Sequence, residues 1–220
     1  MRVVIAGGHG KIALRLERLL TERGDQVVGV VRNPDHVTEV RATGAEAEVL
    51  DLEHTDVATL TARLTGADAV VFAAGAGPGS DAARKDTVDR AAAVLLADAA
   101  VAAGVPRYLM ISSTGVDTPP TAGSGEVWAA YLRAKKAAEV EVAQRAVTLT
   151  VLRPGPLTDD PPADRVALGP PGLARAAVSR GDVAAVLVAL LDEPAAAGLT
   201  LELMGGSSTV AEALAGALAR

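Results

Sequence analysis

The sequence predicts an α/β fold: a doubly wound parallel sheet with helices on both faces. Three observations carry that expectation. Short runs rich in β-branched residues alternate with longer alanine-rich runs throughout the 220 residues. The strand-like runs are mostly apolar without alternation, the pattern of strands covered on both faces. The first of them opens directly into a glycine-rich turn, VVIAGGHGKIA, at the head of a helical pattern.

The elements follow in order. RVVIAG (2–7) reads as the first strand and 11–23 as the first helix. QVVGVV (26–31), AEVL (47–50) and ADAVVFAA (67–74) read as the next three strands, separated by helices at about 35–43 and 55–65. A long helix at about 81–103 leads to RYLMIS (107–112), and a second at about 126–146 leads to TLTVLRP (148–154). Helices at about 179–193 and 207–219 flank a last strand, LTLELM (199–204). Gly24, Gly44, Gly66 and Gly104 each follow a helical pattern, where a left-handed cap is useful. The Pro- and Gly-dense stretch 153–172 follows a strand and precedes a helix. Loops in that place overhang the ligand crevice of an open parallel sheet. It reads as a substrate-side loop, with an irregular surface connection as the alternative. Neither a repeat nor a linker interrupts the pattern, so one domain over 1–220 with a minimal substrate lobe is expected.

Composition narrows the function. Half the residues are hydrophobic but only 2% are aromatic, so the core is built from Ala, Val and Leu. A net charge of −6 with no long basic run argues against nucleic acid as partner. With no cysteine there is no disulfide, thiolate nucleophile or thiolate metal site. His9, His36 and His54 lack metal-ligand spacing, so no metal is expected. The longest small-apolar stretch, 91–105, carries Asp98 and is too short for a bilayer. The first residues, MRVVIAGGHGK, have too short an apolar run for a signal peptide. A soluble cytoplasmic protein without a membrane partner is expected.

Gly7, Gly10 and Ala13 make a G-x-x-G-x-x-A pattern between strand and helix. Gly7 permits a tight turn, Gly10 lets the backbone approach a pyrophosphate, and Ala13 lets helix and strand pack closely. The N–H groups at the helix start then face the phosphates. The second strand ends VVGVVRNP, with Arg32 where an NAD site usually carries an acid for the ribose. A guanidinium suits a 2′-phosphate, which favours NADP over NAD; a solvated strand-end cation is the other reading. Asp51 and Leu52 follow the third strand, placed to meet an adenine edge and face, although Asp51 equally suits the N-terminal cap of the next turn. Ala73, Ala74 and Gly75 follow the fourth strand with small side chains that let a cofactor lie against backbone.

With GGHGKIA (7–13), VRNP (31–34), DL (51–52), AAGAG (73–77), GVPRYLMISSTGV (104–116), YLRAK (131–135), LRPGPLTDD (152–160) and SRGDVAAVLVALLDEP (179–194), the chain resembles the short-chain dehydrogenase/reductase superfamily. It is most similar to the atypical, NmrA-like branch, which includes flavin-reductase and biliverdin reductase B-like proteins. The resemblance implies a Rossmann fold. It places Gly7, His9, Gly10, Lys11 and Ile12 around the pyrophosphate, Arg32 at the 2′-phosphate, and Asp51 and Leu52 at the adenine. Ala73, Ala74 and Gly75 fall under the ribose and nicotinamide side, and Pro154 and Gly155 beside the nicotinamide. Ser112 falls with the cofactor residues. Tyr131 and Lys135 match the superfamily's Y-x-x-x-K pair, with Lys135 also at the nicotinamide ribose. Thr114 is the preferred Ser/Thr partner and Ser113 the fallback. The length leaves no room for the large C-terminal substrate domain of nucleotide-sugar epimerases, which weakens that reading of the substrate.

Four helical residues turn through about 400°, so Tyr131 and Lys135 share a face. A carbonyl receiving hydride needs a proton on its oxygen, and a tyrosine beside an ammonium can give one. A hydroxyl from Thr114 or Ser113 would hold that oxygen. The alternative is a solvated Lys135–Glu139 pair with Tyr131 as packing. The expected function is an NADP(H)-dependent oxidoreductase acting on a small carbonyl, quinone or flavin. The rivals are a non-catalytic NADP-binding sensor and an NAD(P)-dependent epimerase-like enzyme. The alanine-rich helices at 81–103 and 126–146 offer surfaces for a homodimer.

Overall fold

The computed structural model describes residues 1–77, 79–118 and 125–219. Strand β1 (Arg2–Ala6) leads into helix α1 (Lys11–Glu22), followed by β2 (Gln26–Val31) and a 3-10 turn (Pro34–His36) running into α2 (Val37–Arg41). Then come β3 (Glu46–Val49), α3 (Val57–Leu64) and β4 (Ala69–Phe72). A continuous helical segment follows in three parts: α4 (Ala82–Arg84), a π-helical stretch (Lys85–Ala91) and α5 (Ala92–Ala103). Next are β5 (Arg107–Ile111), α6 (Glu126–Ala143) and β6 (Thr148–Pro154). The two-residue strands β7 (Leu157–Thr158) and β9 (Val178–Ser179) bracket β8 (Val166–Gly169), and α7 (Arg180–Asp192), β10 (Thr200–Gly205) and α8 (Val210–Leu218) follow.

The central sheet has the order β3-β2-β1-β4-β5-β6-β10-β8. Its pairings are parallel except for β8, which runs antiparallel to β10. This is the Rossmann-type doubly wound fold. Strand order reverses between β1 and β4, so the ligand crevice lies beyond the carboxyl ends of those strands.

The two faces explain the apolar runs. Successive strand residues point to opposite sides. Val3 and Ile5 of β1, Ala69 and Val71 of β4, and Leu109 of β5 join a core with α1, α7 and α8. Val4 and Ala6, Val70 and Phe72, and Tyr108 and Met110 join a second core with α3, α5 and α6. The inner faces of α5 and α6 are thus covered within the chain, while Val101 of α5 and Val127, Trp128 and Val140 of α6 are exposed. The edge strand β3 carries Glu46 and Glu48, charges that blunt an open sheet edge. Among the described residues, no helix is long and apolar enough to cross a membrane.

Two elements differ from the sequence expectation. The 153–172 stretch is not an irregular loop: it holds the end of β6, strand β7 and strand β8. β7 pairs with β9 and β8 with β10, contacts that a local pattern does not encode. The helix expected over 81–103 is π-wound through Lys85–Ala91. Asp51 caps the turn that follows it, accepting the Glu53 N–H at 3.0 Å, and α3 has its own cap in Asp56, whose side chain accepts from the Thr59 N–H at 2.8 Å. The four cap glycines do take positive φ: Gly24 (93°), Gly44 (91°), Gly66 (73°) and Gly104 (71°).

Candidate cofactor and substrate site

Two clefts open along the carboxyl edge of the sheet and share one wall. The first has a volume of about 550 Å³ and lies over β1, β2 and the loops after β3 and β4. The second, of about 750 Å³, lies between the β5 and β6 ends and the start of α6. Ala73, Ala74 and Gly75 line both.

The first cleft begins at the glycine turn. Gly7 has φ +84°, and a Cβ there would stand 2.6 Å from the Ala74 Cα. Gly10 is the N-cap of α1, which has no side-chain cap and no acid in its first turn. Its first-turn N–H groups and the positive end of its dipole are therefore available to an anion. A Cβ on Gly10 would sit 3.2 Å from the Gly7 carbonyl oxygen, a tighter contact than side chains usually make, so the turn winds closely around a residue without one. These features fit a dinucleotide pyrophosphate. His9 and His36 stack with ring centroids 3.5 Å apart, and His9 Nε2 lies 3.2 Å from Glu39 Oε2. Arg32, Asp51 and Leu52 line the same cleft. Asp51 closes its own loop, accepting the Glu53 N–H at 3.0 Å and lying 3.0 Å from His54 Nδ1. Lys11 also lines the cleft, but its ammonium is bonded to Asp159 at 2.5 Å, and Arg180 bonds the other oxygen of Asp159 at 2.9 Å. That cluster ties the start of α1 to the segment after β7.

The second cleft gathers Ile12, Ser112, Ser113, Tyr131, Lys135, Pro154 and Gly155. Tyr131 and Lys135 share the inner face of α6, with Lys135 Nζ 5.9 Å from the Tyr131 ring centroid. Trp128 stacks on Tyr131 with centroids 5.2 Å apart. Lys85, from the π-helical stretch, lies 5.6 Å from the same ring. The hydroxyls divide. Ser113 lines the cleft, donating to the Thr114 carbonyl at 3.1 Å. Thr114 lies outside the cleft lining and donates to the Pro154 carbonyl at 3.3 Å. Ser112 donates to Glu139 Oε1 at 2.5 Å.

Lys135 does not pair with Glu139. It is buried, it donates to the Ile111 and Ala74 carbonyls at 3.2 and 3.4 Å, and it lies 3.3 Å from Asp89 Oδ1. Asp89 is itself fully buried, its second oxygen accepting the Ala76 N–H at 3.1 Å. Glu139 instead forms a two-point pair with buried Arg153 at 2.9 and 2.5 Å. Arg153 also reaches Asp117, and Lys136 bonds Asp117 at 2.6 Å. Burial works against the Arg153 charge, but the two carboxylates outweigh it and hold the guanidinium protonated. This network fixes α6, and with it Tyr131, against β6.

The sequence reading missed Asp89, Lys85, Arg84, Glu53, Trp128 and Arg180, all of which line one or other cleft. Asp89, Lys85 and Arg84 belong to a segment whose π winding breaks the 3.6-residue spacing. Trp128, as the single tryptophan three residues before Tyr131, was the one usable signal. Among the described residues, no group of three or more His, Asp or Glu side chains could hold a metal.

The fold and the two clefts define a dinucleotide-binding protein of the Rossmann class. The chain belongs to the NAD(P)H-binding family, which it matches over residues 7–194. It is 31% identical over 215 residues to a Bacillus subtilis protein named as the uncharacterized sugar epimerase YhfK, covering 97% of this chain and 99% of that one. A solved Bacillus halodurans structure with a provisional NAD-dependent epimerase/dehydratase name matches with a TM-score of 0.90 and 31% identity, over 98% of this chain and 99% of the other. ChuY, an anaerobilin reductase from Escherichia coli O157:H7, shares the fold at a TM-score of 0.79 and 23% identity, over 93% of this chain and 97% of its own.

Proposed function

We propose that the protein is an NADPH-dependent oxidoreductase that reduces a small carbonyl, quinone or flavin in the second cleft. One observation carries this reading: Tyr131, Lys135 and Ser113 line a cleft that shares the Ala73–Gly75 wall with the cradle over α1. The nicotinamide, when bound, supplies the hydride. Tyr131 donates the proton to the substrate oxygen, and Ser113, in place of Thr114, orients that oxygen. Lys135 fixes the wall through its bonds to the Ile111 and Ala74 carbonyls. Pro154, Gly155 and the half-exposed Trp128 line the sides of the cleft. The test is NADPH oxidation, followed by absorbance, across a panel of aldehydes, ketones, quinones and flavins.

One observation favours a second reading. Asp89 neutralises Lys135, a pairing that suits a binding site without proton transfer. Cofactor binding with no oxidation across the panel would leave an NADP-binding sensor. An NAD(P)-dependent epimerase-like enzyme is the third reading, supported by the name of the Bacillus subtilis relative that is 31% identical.

Two expected outcomes test the cofactor side. Gly10→Val puts a branched side chain into the cradle. It should remove the thermal stabilisation by NADPH, with a modest fall in the melting temperature without ligand from the tight contact with the Gly7 carbonyl. A stabilisation that grows with the logarithm of NADPH concentration in this variant rejects the placement. Arg32→Asp should weaken NADP binding by about 1–3 kcal/mol, because a charge-assisted contact becomes a repulsion, and leave NAD nearly unchanged. Calorimetric titration with both cofactors decides it: equal losses for NADP and NAD reject the role given to Arg32.

A further inference from the structure

Arg32 does not stand alone in the first cleft. Glu53, in the loop after β3, accepts from Arg32 Nη1 at 3.1 Å through its Oε2. The same oxygen accepts from Arg84 Nε and Nη2 at 3.2 and 2.9 Å. Its Oε1 accepts the Thr87 hydroxyl at 2.7 Å. Glu53 is anchored at its backbone as well, by the N–H bond to Asp51. Arg32, Glu53 and Arg84 all line the cleft. A single carboxylate oxygen therefore holds two guanidiniums together, one from the end of β2 and one from the end of α4. Arg32 spends one of its five N–H donors on that contact and its side chain is half exposed.

We infer that Arg32, Glu53 and Arg84 form the device that sets the cofactor's 2′-phosphate preference, with Arg84 as a second phosphate-binding guanidinium and Glu53 as a built-in competitor. The inference rests on the reading of Arg32 as the 2′-phosphate residue. The trio alone carries a charge of about +1, and Asp51 in the same cleft offsets it. Against the pull of burial, the Glu53 N–H, His54 and Arg32 hold the Asp51 carboxyl below its usual value. What the pocket offers a phosphate is therefore the unused donors of two guanidiniums and not an excess of charge. The Glu53 carboxylate also repels that phosphate and occupies donors it would use. Glu53 therefore lowers the NADP preference that two arginines alone would give, and the protein accepts NAD more readily than a bare arginine pair would permit. Thr87 keeps the carboxylate in place when the arginines turn to the phosphate.

The experiment uses the full chain and two cofactor fragments, 2′,5′-ADP and 5′-AMP, titrated calorimetrically at one fixed ionic strength, so no substrate or turnover is needed. Glu53→Gln keeps the size of the side chain and an oxygen acceptor and removes the charge. It should tighten 2′,5′-ADP by about fivefold or more and change 5′-AMP by less than twofold. Arg84→Met should weaken 2′,5′-ADP about tenfold with 5′-AMP again unchanged. Weaker 5′-AMP binding by Glu53→Gln, with 2′,5′-ADP unimproved, overturns the inference, because the carboxylate then serves a ribose hydroxyl. Equal effects on both fragments overturn it too, as a purely structural role. Arg32→Asp separates the two levels. If it spares the difference between the fragments, the reading of Arg32 itself fails. If it abolishes that difference while Glu53→Gln and Arg84→Met do nothing, the inference alone fails. Melting temperatures without ligand check that each variant is folded, and Arg84→Lys, which restores the charge, rescues 2′,5′-ADP binding in any variant series where charge is the cause.

Discussion

Replacing Glu17 by Gln is expected to stabilise the protein by about 5 kcal/mol at pH 9 and to change little at pH 4. Glu17 lies on α1, fully buried, facing β2. Its Oε1 has no hydrogen-bond partner, and its Oε2 receives only the Thr43 hydroxyl, at 3.3 Å. Burial pushes the carboxyl up from 4.5 to about 8, against a smaller opposing pull from Thr43. The sign follows from linkage. Between pH 4.5 and about 8 the folded state holds a proton that the unfolded chain has released. Stability therefore falls as pH rises through that window and levels off above it. Gln keeps the shape and the Thr43 contact and carries no charge, so its stability curve lacks that fall. Urea unfolding of both proteins from pH 4 to pH 9 measures the difference, and other titrating groups cancel in the subtraction. Parallel curves would show that Glu17 is solvated or paired in the folded state.

The same residue explains a glycine in the middle of a strand. A Cβ on Gly29 of β2 would stand 2.5 Å from Glu17 Oε1, and one on Gly8 would stand 2.8 Å from it. Both glycines make room for the carboxyl directly beneath the phosphate-cradle turn. Without a structure, Glu17 reads as a solvated helix residue, because helix periodicity cannot show that the opposing strand lacks a side chain.

What the sequence disclosed and what it withheld divide along the range of the interactions. The alternation of strands and helices, the Gly7–Gly10 turn and the cap glycines depend on local sterics, and they are legible residue by residue. The position of Arg32 at the cleft was legible because the end of the second strand is a fixed place in this fold; its role toward a 2′-phosphate belongs to the proposal. Lys135 was legible as a helix-face residue, but its partner was not. The i,i+4 rule offers Glu139, whereas the structure gives Glu139 to Arg153 and Lys135 to Asp89. Asp89 arrives from another helix, through a π-wound stretch that no heptad or 3.6-residue pattern reveals. β7, β8 and β9 are short and sit among prolines and glycines, so pairing between distant strands, and not intrinsic preference, makes them strands. Arg84 and Glu53 meet Arg32 only once the end of α4 and the loops after β2 and β3 converge.

The Tyr131→Phe variant tests the proposed chemistry with the least disturbance. Phenylalanine keeps the ring, and with it the stack on Trp128, and removes one hydroxyl. If Tyr131 is the acid, turnover of a carbonyl substrate should fall by about 100-fold or more, the usual size of a lost general acid. NADPH affinity and melting temperature should stay as in the wild type. Unchanged reduction of quinones or flavins by the variant assigns those acceptors to direct hydride transfer, with the proton taken from solvent. Lys135 needs a different design, because Lys135→Met leaves Asp89 buried without its partner. That change alone should cost about 3–5 kcal/mol of stability, and a loss of activity in it means little. Combining Lys135→Met with Asp89→Asn removes both charges together and should recover most of the stability. If the double variant melts near the wild type yet reduces carbonyls as slowly as Tyr131→Phe, the lysine acts on the tyrosine. If it reduces them at the wild-type rate, the buried Lys135–Asp89 pair only holds α6 against the β4 loop, and Lys85, the other ammonium facing the Tyr131 ring, becomes the group to replace next.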